Sequence, residues 1–115
     1  MKTYKYKTLE GFLNNCSGHI SIYKLLDGVV YHERSKQVVK VVLSDSAKME
    51  LAQGFADYAF SSKPAKDKLI NRLMYEFTDI TYLQGFYLSK RKKGFGFSNS
   101  LSGESFRYCL RMFCK

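Results

Sequence analysis

Residues 41–73, VVLSDSAKMELAQGFADYAFSSKPAKDKLINRL, carry the strongest structural pattern in this chain. A β-branched run opens the stretch, and Ser44 or Ser46 then stands where a helix needs an N-cap. Ala47, Leu51, Phe55 and Tyr58 recur at helical spacing and make one apolar stripe. Residues 61–64 interrupt it, and Pro64 suits the first turn of a second helix, where its missing N–H is no loss. In that helix Leu69, Ile70, Leu73, Met74 and Phe77 face one way, and Lys66, Asp67, Asn71 and Arg72 largely another. So short a connection predicts an antiparallel helix pair.

Upstream, Tyr4 and Tyr6 alternate with lysines and predict a short strand. Thr8 is placed to cap a short helix holding Leu9, Phe12 and Leu13, which Ser17 and Gly18 end. Residues 19–43, HISIYKLLDGVVYHERSKQVVKVVL, follow. Asp27-Gly28 between two β-rich runs is a hairpin signal, and residues 34–37 make a second turn. Strands are expected over 19–25, 29–33 and 37–43. Downstream, from Thr78, the period changes to two: Ile80, Tyr82, Gln84, Phe86 and Leu88 alternate with their neighbours. A basic turn, SKRKKG, leads to a short strand with Phe95 and Phe97 on one face. In residues 105–113, SFRYCLRMF, Phe106, Tyr108, Leu110 and Met112 alternate with Arg107, Cys109, Arg111 and Phe113, which predicts a third meander strand. The expectation is one α+β domain over residues 1–115, with antiparallel strands in two three-stranded sets packed with the helix pair.

The chain has 115 residues, 45% of them apolar, enough to form a core, which excludes disorder for most of it. No apolar run is long enough for a transmembrane helix, and the start has no apolar leader segment, so no membrane is expected. Three cysteines, an odd count, point to free thiols in a reducing, cytoplasmic compartment. Cys114 is expected at the surface.

The formal net charge is +9, unevenly spread. Residues 1–36 carry +3, residues 37–79 are neutral, and residues 80–115 carry +6. One-sided charge is an argument about partners: nucleic acid, an anionic membrane surface or an acidic protein. Lysines outnumber arginines, and Tyr and Phe number 9 each, usage that suits an AT-rich genome such as that of many bacteriophages.

The sharpest constellation is SKRKKGFGF. Lys90, Arg91, Lys92 and Lys93 form a basic cluster, and Phe95 and Phe97 follow, spaced by glycines that let a ligand approach the backbone. Basic groups interleaved with aromatics are what single-stranded nucleic acid needs. Arg107 and Arg111 are expected to extend the basic surface on the same sheet, and Tyr87 to stack beside Phe95. The alternative for the two phenylalanines is burial in the core. Lys93 to Phe97 resembles the start of the aromatic motif of RNA-recognition-motif domains. Ser98, Asn99 and Ser100 then replace the apolar and aromatic residues of that motif, so only the physical point is kept.

Residues 41–73 also resemble the opening of RelE/ParE-type toxins, in which a strand leads into an antiparallel helix pair and then an antiparallel sheet. Leu43, Ser44, Ala47, Leu51, Tyr58, Pro64, Leu69, Ile70 and Leu73 carry the resemblance. It implies a basic protein acting on ribosome-bound mRNA or on a gyrase. In the RNA-cleaving branch it makes Arg107, Tyr108 and Arg111 the counterparts of sheet-borne catalytic groups.

Other chemistry is thin. His32 and Glu33 are adjacent on an expected strand and so point to opposite faces; both histidines, His19 and His32, are expected at the surface. Cys16 and His19 with Cys109 and Cys114 are a conceivable metal set, but four residues separate the second pair, two more than in the usual knuckle. No phosphate loop, zinc-protease or serine-hydrolase motif occurs. The sequence therefore predicts a non-enzymatic binder of RNA or another single strand, with no cofactor and no metal. Lys90, Arg91, Lys92, Lys93, Arg107 and Arg111 would meet phosphates, and Phe95 and Tyr87 would stack. The alternatives are an inhibitor that docks on an acidic surface of a larger protein, and an mRNA endonuclease of the toxin type.

Overall fold

The computed structural model describes residues 2–16, 18–32, 35–76 and 79–115. The expectations that fall on Ser17, Glu33, Arg34, Phe77 and Thr78 lie outside them. Ser44 starts the central helix: its hydroxyl accepts from the Ala47 N–H at 3.1 Å, and helix α3 runs over Asp45–Ala59. A three-residue connection leads to α4, Lys63–Met74, with Pro64 in its first turn. The short connection turns the chain back, and the two helices pack together, with Ala47, Leu51, Phe55 and Ala56 of α3 and Leu69 of α4 in the common core.

Two three-stranded sheets flank this pair. In the first, β4 (Gln37–Leu43) is central. Strand β3 (Val29–His32) pairs with it antiparallel, the predicted hairpin. On its other edge lies β1 (Thr3–Tyr6), in parallel register from Thr3 opposite Lys40 to Tyr6 opposite Leu43. Alternation sends Val39, Val41 and Leu43 into the core and leaves Val38 and Val42 exposed. Short helix α1, Leu9–Leu13, follows β1, with the Thr8 hydroxyl capping Gly11 as expected.

The second sheet has the order β2–β5–β6, all antiparallel: β2 is Ile20–Ser21, β5 is Phe86–Lys90 and β6 is Phe95–Asn99. Its membership corrects the sequence reading in three places. The strand expected over 19–25 is two residues of β2 followed by helix α2, Ile22–Asp27. Ser21 caps that helix, and Gly28 ends it at φ 85°, its N–H bonded to the Lys24 and Leu25 carbonyls. Asp27-Gly28 is therefore a helix C-cap rather than a hairpin turn. Ile80–Leu83 form a 3-10 turn, started by Asp79, whose carboxylate accepts from the Thr81 N–H at 3.0 Å. The hydroxyl and N–H of Thr81 hold that carboxyl below its usual range.

The third correction is the largest. Residues 105–113 are not a meander strand but part of helix α5, Gly103–Phe113. Ser102 caps it, and Glu104 in the first turn and Arg111 in the last complement its dipole. Phe106, Cys109, Leu110 and Phe113 form the inward stripe, at spacings of three and four. One apolar cluster, with Phe12, Phe55, Phe86 and Phe113 at its heart, joins both sheets to the helices. Among the described residues no helix is long and apolar enough to cross a membrane.

Candidate nucleic-acid interface

Register assigns the faces of the second sheet. Tyr87 opposes Ser98 and Ser89 opposes Gly96, so these share one side; Leu88 opposes Phe97 and Lys90 opposes Phe95 on the other. The second side is the core side. Phe97 stacks on Phe55 at 5.6 Å, and Phe86 meets Phe55 edge-on at 5.2 Å. Phe95 lies over Gly54 of α3, where a Cβ would come within 2.7 Å of its ring. Phe95 is thus a half-buried packing residue, which corrects its expected role as a free stacking surface. Lys90 also leans inward: its Nζ donates to Asn14 Oδ1, and with Arg91 and Lys92 it lines a small cleft shared by Glu10 and Glu50.

The outer side is polar, with Ser89 buried in it at 6% exposure. His19 Nδ1 lies 3.0 Å from Ser89 Oγ and 3.4 Å from Ser98 Oγ. The His19 ring meets Tyr87 edge-on at 6.3 Å, and Ser21 lies opposite Tyr87 on β2. Gly96 makes room for Arg91, because a Cβ there would fall 2.6 Å from the Arg91 Nε. Arg91 then begins the turn to β6, closed by its N–H on the Gly94 carbonyl at 3.1 Å, with Gly94 at φ 81°. Lys92 and Lys93 project from that turn, exposed. Among the described residues no carboxylate is within ion-pair distance of Arg91, Lys92 or Lys93.

Tyr87, Arg91, Lys92 and Lys93 thus come together, and His19, Ser89 and Ser98 join them. Those three were missed because Ser89 reads as the start of a basic turn and His19 as an isolated surface residue. The period-two series Tyr87, Ser89, Arg91 was the available signal. Arg107 and Arg111 are not on this sheet. They stand one helical turn apart on α5, beside a groove that α5 forms with α4. Glu50 near Lys90 and Phe60 near that groove are separated by about 15 Å of rise along α3. Tyr108, grouped with these arginines as a sheet-borne counterpart, is on the helix as well.

His32 is buried, at 3% exposure, which corrects its surface assignment. Its Nε2 lies 2.8 Å from Tyr6 Oη, its Nδ1 2.9 Å from Ser35 Oγ, and its ring stacks on Tyr4 at 4.8 Å. Cys114 is buried too, contrary to expectation. Burial pushes its thiol pKa up, against the opposing charges of Lys68 and Arg72. Cys16 lies by the Tyr31 carbonyl in the first sheet while Cys109 and Cys114 sit at α5. Among the described residues no three metal-ligating side chains gather.

The geometry defines an α+β protein with a polar sheet face running into a cationic turn. Comparison with protein-family models, with curated proteins and with solved structures finds no match.

Proposed function

We propose that the chain binds single-stranded nucleic acid, RNA in preference to duplex DNA, by laying it across the outer face of β5 and β6 and over the basic turn. The observation that carries this reading is the row that Tyr87 and Arg91 make on either side of the buried Ser89, flanked by His19 and Ser98 and continued by Lys92 and Lys93. Each chemical need of a single strand has a group in that row. Tyr87 offers a ring for a base face. The exposed imidazole of His19 and the Ser98 hydroxyl offer hydrogen bonds to base edges or to a 2′-OH. Arg91, Lys92 and Lys93, in no ion pair among the described residues, offer charge to phosphates. Duplex DNA is disfavoured because the cationic row is on a sheet and turn, and the segment that carries the helix pair, residues 37–79, is neutral in sequence.

The reading requires binding alone, with no cofactor and no catalytic step. The test is fluorescence anisotropy of a labelled random single-stranded RNA at about 50 and 200 mM salt, a range over which phosphate contacts lose affinity steeply. Binding that weakens with salt, and that Tyr87→Ala weakens by about 1–3 kcal/mol, is expected. Absence of binding at the lower salt overturns the proposal. Full affinity in the Tyr87→Ala protein removes the sheet face from it.

A further inference from the structure

Phe106 and Leu110 of helix α5 line an open groove of about 930 Å³ between α5 and α4. Phe60 and Ala65 complete its apolar floor. Ala65 and Gly103 keep the walls low; a Cβ added at Gly103 would meet nothing within 4 Å. The rim is of one sign. Lys68 stands on the α4 side, Arg107, Arg111 and Lys115 stand on the α5 side, and among the described residues no Asp or Glu lines the groove. All four cations are exposed, and among the described residues none is in an ion pair.

We propose that this groove takes an acidic amphipathic helix of a partner protein, apolar stripe down, with carboxylates meeting Lys68 on one side and Arg107 and Arg111 on the other. Length fits: Gly103 to Cys114 spans about 16 Å along α5, which accommodates anchors at i, i+3 or i+4, and i+7 of a docked helix. The floor chooses helix over extended peptide. It offers almost no polar groups, so only a segment that satisfies its own backbone hydrogen bonds can lie on it without loss. Charge chooses the partner. A second copy of this chain would bring the same cations against themselves, whereas acidic flanks complement them. An isolated small amphiphile is a poorer match, because sites for small ligands enclose most of the ligand surface and this groove is open.

The probe is a fluorescein-labelled helical peptide of about 15 residues, with leucines at i, i+4 and i+7 and glutamates on both flanks. Its control carries lysines in place of the glutamates. The acidic peptide is expected to bind and the basic one not to. Arg107→Glu with Arg111→Glu, both at exposed positions, should weaken the acidic peptide by about tenfold or more. Gly103→Trp should block it by filling the groove mouth, with circular dichroism confirming that each variant is folded. Equal binding of the two peptides, or an unchanged affinity in both variants, overturns the proposal. So does saturable oleate binding without peptide binding. Dimerisation in sedimentation that Gly103→Trp abolishes likewise overturns it, by seating a second copy in the groove.

Discussion

Gly54 interrupts the middle of α3, where glycine costs a helix up to about 1 kcal/mol relative to alanine. The reason lies across the interface: the Phe95 and Phe97 rings come within 2.7 and 2.9 Å of where its Cβ would be. Gly54→Ala should therefore destabilise despite its better propensity, since overpacking costs about 1–3 kcal/mol; a urea midpoint no lower than that of the parent protein would contradict the packing. Tyr6 and His32 present a polar version of the same dependence. Tyr6→Phe removes the hydroxyl that faces His32 Nε2 and accepts from the Asn15 amide, which should cost about 1–3 kcal/mol. RNA affinity should stay unchanged, because this cluster is in the other sheet. Cys114 adds a titration. Burial raises its thiol pKa in the folded chain, so above the ordinary thiol range the unfolded state loses a proton that the folded state keeps. Its contribution is full below that range and is lost as pH rises toward the folded value. Cys114→Ala should flatten the alkaline fall in stability, and in the native protein Cys114 should react with a disulfide reagent more slowly than the partly exposed Cys16. None of these partners is close in sequence, so residue types alone show a helix flaw, a histidine and a terminal cysteine, and nothing of their roles.

Helix α5 shows why some elements were legible and others were not. SFRYCLRMF satisfies two periods at once. Read by twos it separates Arg107 and Arg111 from Phe106 and Leu110, and read by 3.6 it aligns Phe106, Cys109, Leu110 and Phe113. The tie is broken by the cap, since the Ser102 hydroxyl accepts from the Ser105 N–H. Ser102→Ala should thus cost about 1 kcal/mol and fray the first turn, visible as lost amide protection around residues 103–106; unchanged exchange there would mean that packing alone holds the end. The same device at Ser21, with Gly28 as the C-cap, made a helix of a run that looked β-rich. Helices α3 and α4 were readable because cap, stripe and proline all agree within each segment. The parallel pairing of β1 with β4 was not, because register between strands so far apart is set by burial of Tyr6, Val41 and Leu43 on a shared core, which no local pattern encodes. Half of the candidate interface was legible for the same reason: the basic run is local, while His19 reaches Ser89 only through the β2–β5 pairing.

At the scale of the whole molecule the question is whether +9 acts as one field or as separate faces. The chain is small, with a radius of gyration of 13.6 Å and extents of 37 × 28 × 27 Å. The Debye length at physiological salt is about 8 Å, shorter than the roughly 15 Å of α3 between the two cationic sites. Charges on one face are therefore largely screened from a ligand on the other, and each site should answer to its own partner. Salt dependence measures this directly, because each phosphate contact on a single strand contributes about 0.7 to the log–log slope. Lys92→Ala with Lys93→Ala should lower the slope for RNA by about 1.4. Arg107→Ala with Arg111→Ala should leave it unchanged while weakening an acidic peptide. Equal slope losses in both pairs would mean that one strand spans the α5 groove as well as the sheet face. The two sites would then be a single interface, and the assignment of the groove to a protein helix would fall.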